Sequence, residues 1–135
     1  MSRHGAVDLD WADGTFTFRL GLGEIEELER KCDLGVFQIA ARLSPEGRQA
    51  RLGEIMETIR LGLIGGGLKP VDALSKVRRY VDERPIDENR DVAYAIILAG
   101  LMRVHSATIE DEASGEAKAA GPNGSTSPPS TVQPS

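Results

Sequence analysis

Hydrophobic and polar positions alternate at the start of the chain. Val7, Leu9 and Trp11 are separated by Asp8 and Asp10, and Phe16, Phe18 and Leu20 by Thr17 and Arg19. Two runs of period 2 around "ADG" predict a β-hairpin with one apolar face, with Gly14 free to take positive φ in the turn. A lone hairpin is marginal in water, so its apolar face needs a covering layer.

After Leu22 the spacing becomes helical. Ile25, Leu28 and Cys32 share one face of a first helix, with Glu24, Glu26, Glu27 and Glu29 mostly in its opening turns, where the helix dipole favours acids. Gly35 breaks the pattern, Val36 to Leu43 form a short second helix, and "SPEG" at Ser44–Gly47 is a turn. A third helix from about Arg51 to Ile64 carries Leu52, Ile55, Met56, Ile59 and Leu63 at helical spacing. A fourth opens on Pro70, a favourable first-turn residue, points Val71, Leu74, Val77 and Val81 inward, and stops before Pro85. A fifth runs from about Glu88 to His105. Its apolar residues Val92, Ile96, Ile97, Leu98, Leu101, Met102 and Val104 cover nearly the whole circumference, the mark of a central helix or of one covered by a partner.

From Ser106 the character changes. Four of the seven prolines fall there, with almost no large apolar residues, and such a segment cannot bury enough surface to offset its ordering entropy. The pattern therefore predicts a mainly α protein. An N-terminal β-hairpin packs on a small bundle of four to five helices over residues 1–105, and a disordered Pro/Ser/Gly-rich tail follows over 106–135.

Composition narrows the function. With 16 basic and 21 acidic residues the formal net charge is −5, which argues against a nucleic-acid binder. The single cysteine, Cys32, cannot form an internal disulfide or a cysteine-cluster metal site, and a reducing, cytoplasmic setting is expected. No basic-then-apolar leader opens the chain. The longest apolar run, Val92 to Met102, is about half of the roughly 20 residues that a membrane span needs.

Candidate chemistry is sparse. "RLGLIGGGLKPVDAL" holds Gly65, Gly66 and Gly67 with Lys69 close behind. A phosphate loop needs a strand before its glycines and Lys-Ser/Thr after them; here a helix precedes and Pro70 follows, which is a helix-stop signature. Gly21-Leu22-Gly23 resembles the start of a dinucleotide fingerprint, but Glu26 stands at the third glycine position and the helix start is acidic. His4 and His105 lie far apart in sequence. Asp8 and Asp10 read as the wet side of the hairpin. In "SKVRRYVDERP", Arg78 and Arg79 reach Asp82 and Glu83 at helical spacings, as on a salt-bridged surface. The whole fourth helix, "PVDALSKVRRYVDER", joined to the third through "GGGLK", also reads as a recognition helix, yet Asp72, Asp82 and Glu83 oppose a phosphate-facing surface. No catalytic residue, cofactor site or metal site emerges, and a non-enzymatic role in protein–protein contact is the expectation.

The order hairpin, "LGEIEELE", "RLGLIGGGLKPVDAL", "VRRYVDERP", "AYAIILAGL" resembles the small tail proteins of gene transfer agents and related prophages, described either as tail assembly chaperones or as tail tube proteins. The resemblance covers about residues 5–105. It implies a cytoplasmic tail assembly chaperone that binds and solubilises the long, helical tape-measure protein until tube subunits replace it. The alternative is a tube or connector subunit retained in the particle. Partners are then the tape-measure protein and other tail proteins, with self-association allowed and neither nucleic acid nor membrane involved. The excess apolar surface of the fifth helix, at Ile96, Ile97, Leu98, Leu101 and Met102, is the expected partner-binding face. Gly65, Gly66 and Gly67 are the expected hinge, letting the first three helices shift against the last two.

Overall fold

A computed structural model describes residues 5–116, with side chains over 5–102. The chain divides into two units, Met1–Met102 and Arg103–Ser135. All side-chain contacts below belong to the first. Strands β1 (Ala6–Trp11) and β2 (Gly14–Arg19) form an antiparallel hairpin, followed by α1 (Leu22–Cys32), α2 (Val36–Leu43), α3 (Leu52–Gly65), α4 (Pro70–Glu83) and α5 (Ile86–Glu116). The backbone of α5 continues past the end expected at His105. Ser106 to Glu116 contain helix-forming Ala and Glu and no proline, which accounts for the extension. The remainder of the expected disordered tail, residues 117–135, lies outside the described residues, as does His4.

Hairpin register pairs Val7 with Phe18, Leu9 with Phe16, and Trp11 with Gly14. The apolar side chains thus share one face, as the alternation requires. On the wet face Thr17 donates to Asp8 at 2.7 Å and Thr15 to Asp10 at 2.6 Å. These cross-strand bonds confirm Asp8 and Asp10 as solvent-side residues. The turn corrects one expectation. Gly14 begins β2, and Ala12 carries the positive φ, at 59°. The strands run one residue closer together than the glycine suggests, leaving only Ala12 and Asp13 to make the turn.

Three helices begin with one device. The side chain at the third helical position reaches back to the backbone N–H that precedes the helix: Glu24 to Gly21 at 2.9 Å, Gln38 to Gly35 at 3.2 Å, and Glu54 to Arg51 at 3.1 Å. Each satisfies one donor that a helix start leaves orphaned. At the Gly21-Leu22-Gly23 elbow a protein carboxylate therefore occupies the place a pyrophosphate would need.

α3 is the central element. It packs on β2, α1 and α4, and buries Ile55, Thr58, Ile59, Leu61, Gly62 and Leu63. Phe18, Leu28, Ile39, Leu43, Val77, Ile96 and Ile97 complete the core around it, each no more than 1% exposed. Gly62 lets α5 approach closely: a Cβ there would sit 3.0 Å from Ile96 Cγ2. α4 contributes a narrow stripe, Ala73, Val77 and Val81, at spacings of four. Val71 and Leu74, expected inward, lie off that stripe and are 71% and 44% exposed. Only one face of α4 meets the core, and four-residue spacing alone fills it.

Buried polar groups tie the layers together. Trp11 Nε1 donates to Asn89 Oδ1 at 2.8 Å, joining hairpin to α5. Arg90, 8% exposed, donates to the Leu43 carbonyl at 2.8 Å and pairs with Asp87 and Asp91. Glu54, 3% exposed, receives Arg42 Nε and Arg51 Nε, both at 2.9 Å, and so fixes α2 to the start of α3. Burial opposes the charge on Glu54, but the Arg42 and Arg51 contacts outweigh it and hold the carboxyl below its ordinary range.

Candidate functional site

The residues expected to bind a partner separate on α5. Ile96 and Ile97 are fully buried core residues, so neither faces a partner in the folded chain. Leu101 is half-buried and packs against the core. Leu98 is half-buried and lies outside the core cluster, and Met102 is 58% exposed. At 100° per residue Leu98 and Met102 fall opposite the face formed by Ala93, Ile96 and Gly100. The sequence could not make this division, because a helix apolar all round hides which side the core takes.

Gly65, Gly66 and Gly67 sit differently from a hinge. A Cβ on Gly65 would land on the carbonyl oxygen of Arg19, and one on Gly66 on that of Thr17. The end of α3 thus lies directly on the backbone of β2, with glycine Cα–H groups facing its carbonyls. Gly67 takes φ +116°, a conformation that favours glycine, and Leu68 N–H returns to Leu63 O at 2.9 Å. Gly65 and Gly66 thus form a close-packed stop against β2, and Gly67 turns the chain out into open space.

A cluster of rings and charges joins the hairpin to α4. The Tyr80 hydroxyl donates to Asp13 at 3.0 Å, and Lys76 Nζ lies 3.6 Å from the same carboxylate and 5.1 Å from the Phe16 ring centre. Trp11 stands edge-on to Phe16, Phe18 and Tyr80. The Tyr80 bond holds Asp13 below its ordinary range and raises Tyr80. Spacing along "SKVRRYVDERP" gave no sign of this, since the hairpin partners of Lys76 and Tyr80 lie 60 or more residues upstream. Of the expected surface pairs, Arg79 meets Glu83 at 3.6 Å.

An exposed apolar concavity of about 500 Å³ lies between α3, α4 and the start of α5. Leu52, Met56, Val81, Pro85 and Ile86 line it, with Arg78 and Asp82 at its rim. Leu52 is 48% and Ile86 54% exposed. Sequence spacing gave no sign of this groove: Leu52 satisfies helical core spacing in α3, and Ile86 precedes the Glu88 start expected for the fifth helix, which begins two residues earlier in the structure. Their exposure comes from helix ends that project past the core.

Reactive chemistry is weak elsewhere. Burial, with Glu54 and Glu57 nearby, pushes the Cys32 thiol up to about 11, leaving it protonated and a poor nucleophile near neutral pH. Among the described residues no group of His, Cys, Asp and Glu could hold a metal ion, and no helix is long and apolar enough to cross a membrane. The side chain of His105 lies outside the described residues.

A family model described as phage tail tube protein, GTA-gp10, matches residues 4–103. The chain belongs to that family. The match spans the hairpin, α1 to α4 and the part of α5 that carries the core. No curated protein and no solved structure matches the chain. A tail tube family is a structural one, whose members work in contact with other tail proteins. For a GTA-gp10-type tail protein, exposed apolar surface is therefore the functional feature to explain, and both the α5 face and the groove offer it.

Proposed function

We propose that this tail protein is a tail assembly chaperone, which binds the apolar helices of the tape-measure protein through the outward face of α5 and keeps them soluble until the tube forms. The observation that carries the reading is the placement of Leu98 and Met102, apolar side chains directed away from the core of an acidic domain. A helical partner could lay its own apolar stripe there. The net charge of −5 keeps the complex soluble. A bound chaperone of this kind works in the host cytoplasm before the particle is complete.

Co-expression with the tape-measure protein tests the reading. The tape-measure protein is expected in the soluble fraction only with this chain present. Leu98→Asp with Met102→Asp is expected to abolish the rescue while leaving the circular dichroism spectrum unchanged. Rescue that survives the double change would rule out the α5 face.

A second reading, a tube or connector subunit retained in the particle, draws support from the family's own description. Against it, the described residues contain a single two-stranded sheet, a small basis for a sheet-built ring. Mass spectrometry of purified particles separates the two. A tube subunit is expected at high copy, and a chaperone at trace level.

A further inference from the structure

The surface of α4 has a property that the chaperone reading does not use. Val71, Leu74, Arg78 and Asp82 fall on one exposed stripe of the helix, within about 80° of one another at 100° per residue. The stripe runs into the groove whose walls include Leu52 and Ile86. Together Leu52, Val71, Leu74 and Ile86 are four of the seven large hydrophobics that stand exposed among the described residues.

Its charges are as telling as its apolar residues. Arg78 and Asp82 are one turn apart and both border the groove, yet neither forms an ion pair among the described residues. One position further on, Arg79 and Glu83 do pair, at the same spacing. Within a helix, a cation placed before an anion at this spacing is the weaker order. The stripe therefore presents one positive and one negative group side by side, each available to something outside the chain.

We propose that two copies of the chain pair through this surface, antiparallel along α4, with Arg78 of each copy against Asp82 of the other. A two-fold interface requires that if residue i meets j, then j meets i. An exposed Arg and Asp on one stripe satisfy that condition without any further partner. With the axis passing between residues 78 and 82, Leu74 of one copy arrives just past the Glu83 end of the other copy's α4, where Arg84 and Pro85 lead into Ile86 at the start of α5. The protruding Val71–Leu74 end then fills the groove between Leu52 and Ile86 of its mate. Charge and shape match on the same axis. A foreign helix would need a matching acid and base at the right spacing, which a second copy supplies by construction.

The experiment is sedimentation velocity on the full chain across micromolar concentrations, with a charge-swap series. The wild type is expected to reach twice the 14.5 kDa chain mass. Arg78→Asp alone and Asp82→Arg alone each place like charges across the axis and are expected to raise the dimer dissociation constant roughly 100-fold. The double variant Arg78→Asp, Asp82→Arg restores the pairing. So does an equimolar mixture of the two single variants, where one chain is doubly acidic at the axis and the other doubly basic. All four residues at the axis are solvent-exposed in the single chain, so an unchanged circular dichroism spectrum is expected throughout, and Leu74→Glu gives an independent loss of dimer. A wild-type chain that stays monomeric, or single variants that dimerise as well as the wild type, overturns the proposal. Because tape-measure rescue is read separately on Leu98 and Met102, either idea can fail without the other.

Discussion

α3 and α4 are adjacent helices of 14 residues each, and they behave as opposites. α3 is held at both ends, by an ion cluster around the buried Glu54 at its start and by glycines pressed onto β2 at its end. α4 buries only Ala73, Val77 and Val81 and turns Val71 and Leu74 to solvent. Two residues that look loose in the sequence, Gly65 and Gly66, press directly on the backbone of β2. Apolar residues that look like core stand outside. What differs is the layer around each helix. α3 has the hairpin on one side and helices on the others, so its backbone as well as its side chains meets neighbours. α4 packs on α3 along one stripe and meets the hairpin only beside it, at Lys76 and Tyr80, so the rest of its surface has no neighbour among the described residues.

The largest expected effect tests the anchored end. Gly66→Ala places a methyl group where the Thr17 carbonyl already lies, so α3 and β2 must separate. A loss of about 3 kcal/mol is expected, from overpacking against an element that cannot yield. The unfolding midpoint should then fall by roughly 15 °C in a thermal scan. Gly53→Ala is the control, since nothing lies within 4 Å of its added carbon, and there the substitution should stabilise by about 0.5 kcal/mol or more. If Gly66→Ala proves as harmless as Gly53→Ala, the end of α3 is loose and the hinge expectation returns.

These two glycines also mark the limit of what could be read in advance. The hairpin, its register-compatible alternation and the order of five helices followed from period 2 and period 3.6 in the side chains. A sequence pattern reports on side chains, whereas Gly65 and Gly66 are fixed by where another strand's carbonyls pass. That is a fact of tertiary approach with no local signal. The same limit applied at α5. Leu98 and Ile97 are neighbours of equal apolarity, and only the position of α3 decides that Ile97 is core and Leu98 outward. The groove was invisible for a different reason: Leu52 matches a core period but sits at a helix end beyond the reach of the core, and Ile86 precedes the start expected for the fifth helix.

A middle-sized effect tests the other anchor of α3. Glu54→Gln keeps the shape but removes the charge that Arg42 and Arg51 share, at an expected cost of about 2 kcal/mol near neutral pH. The pH dependence gives a sharper signature. The Arg42 and Arg51 contacts hold the folded carboxyl below the ordinary carboxylate range, so its contribution is present above the unfolded value and is lost as pH falls through the lower folded one. Asp13 and Asp87 are shifted the same way, Asp13 by Tyr80 and Asp87 by Arg90. Stability measured by urea unfolding should therefore decline below about pH 4.5 in the wild type, and decline less steeply in Glu54→Gln. An equal slope in both proteins would mean that the cluster contributes no charge-dependent stability, and that the glycine end alone anchors α3.

The smallest effect comes from the reverse of the glycine case. Ala12 holds φ 59° in a two-residue turn, where an L side chain is strained and glycine is not. Here the backbone requires what glycine offers, while the sequence supplies glycine two residues later, at Gly14. Ala12→Gly should relieve that strain, though it also removes a methyl group that packs partly against the core and frees the unfolded chain. The expected balance is a gain of about 0.5 kcal/mol, read as a small rise in the unfolding midpoint. A loss instead would show that the contact of the Ala12 methyl outweighs the turn geometry. The hairpin tip would then belong, like the end of α3, to the part of the molecule governed by close packing.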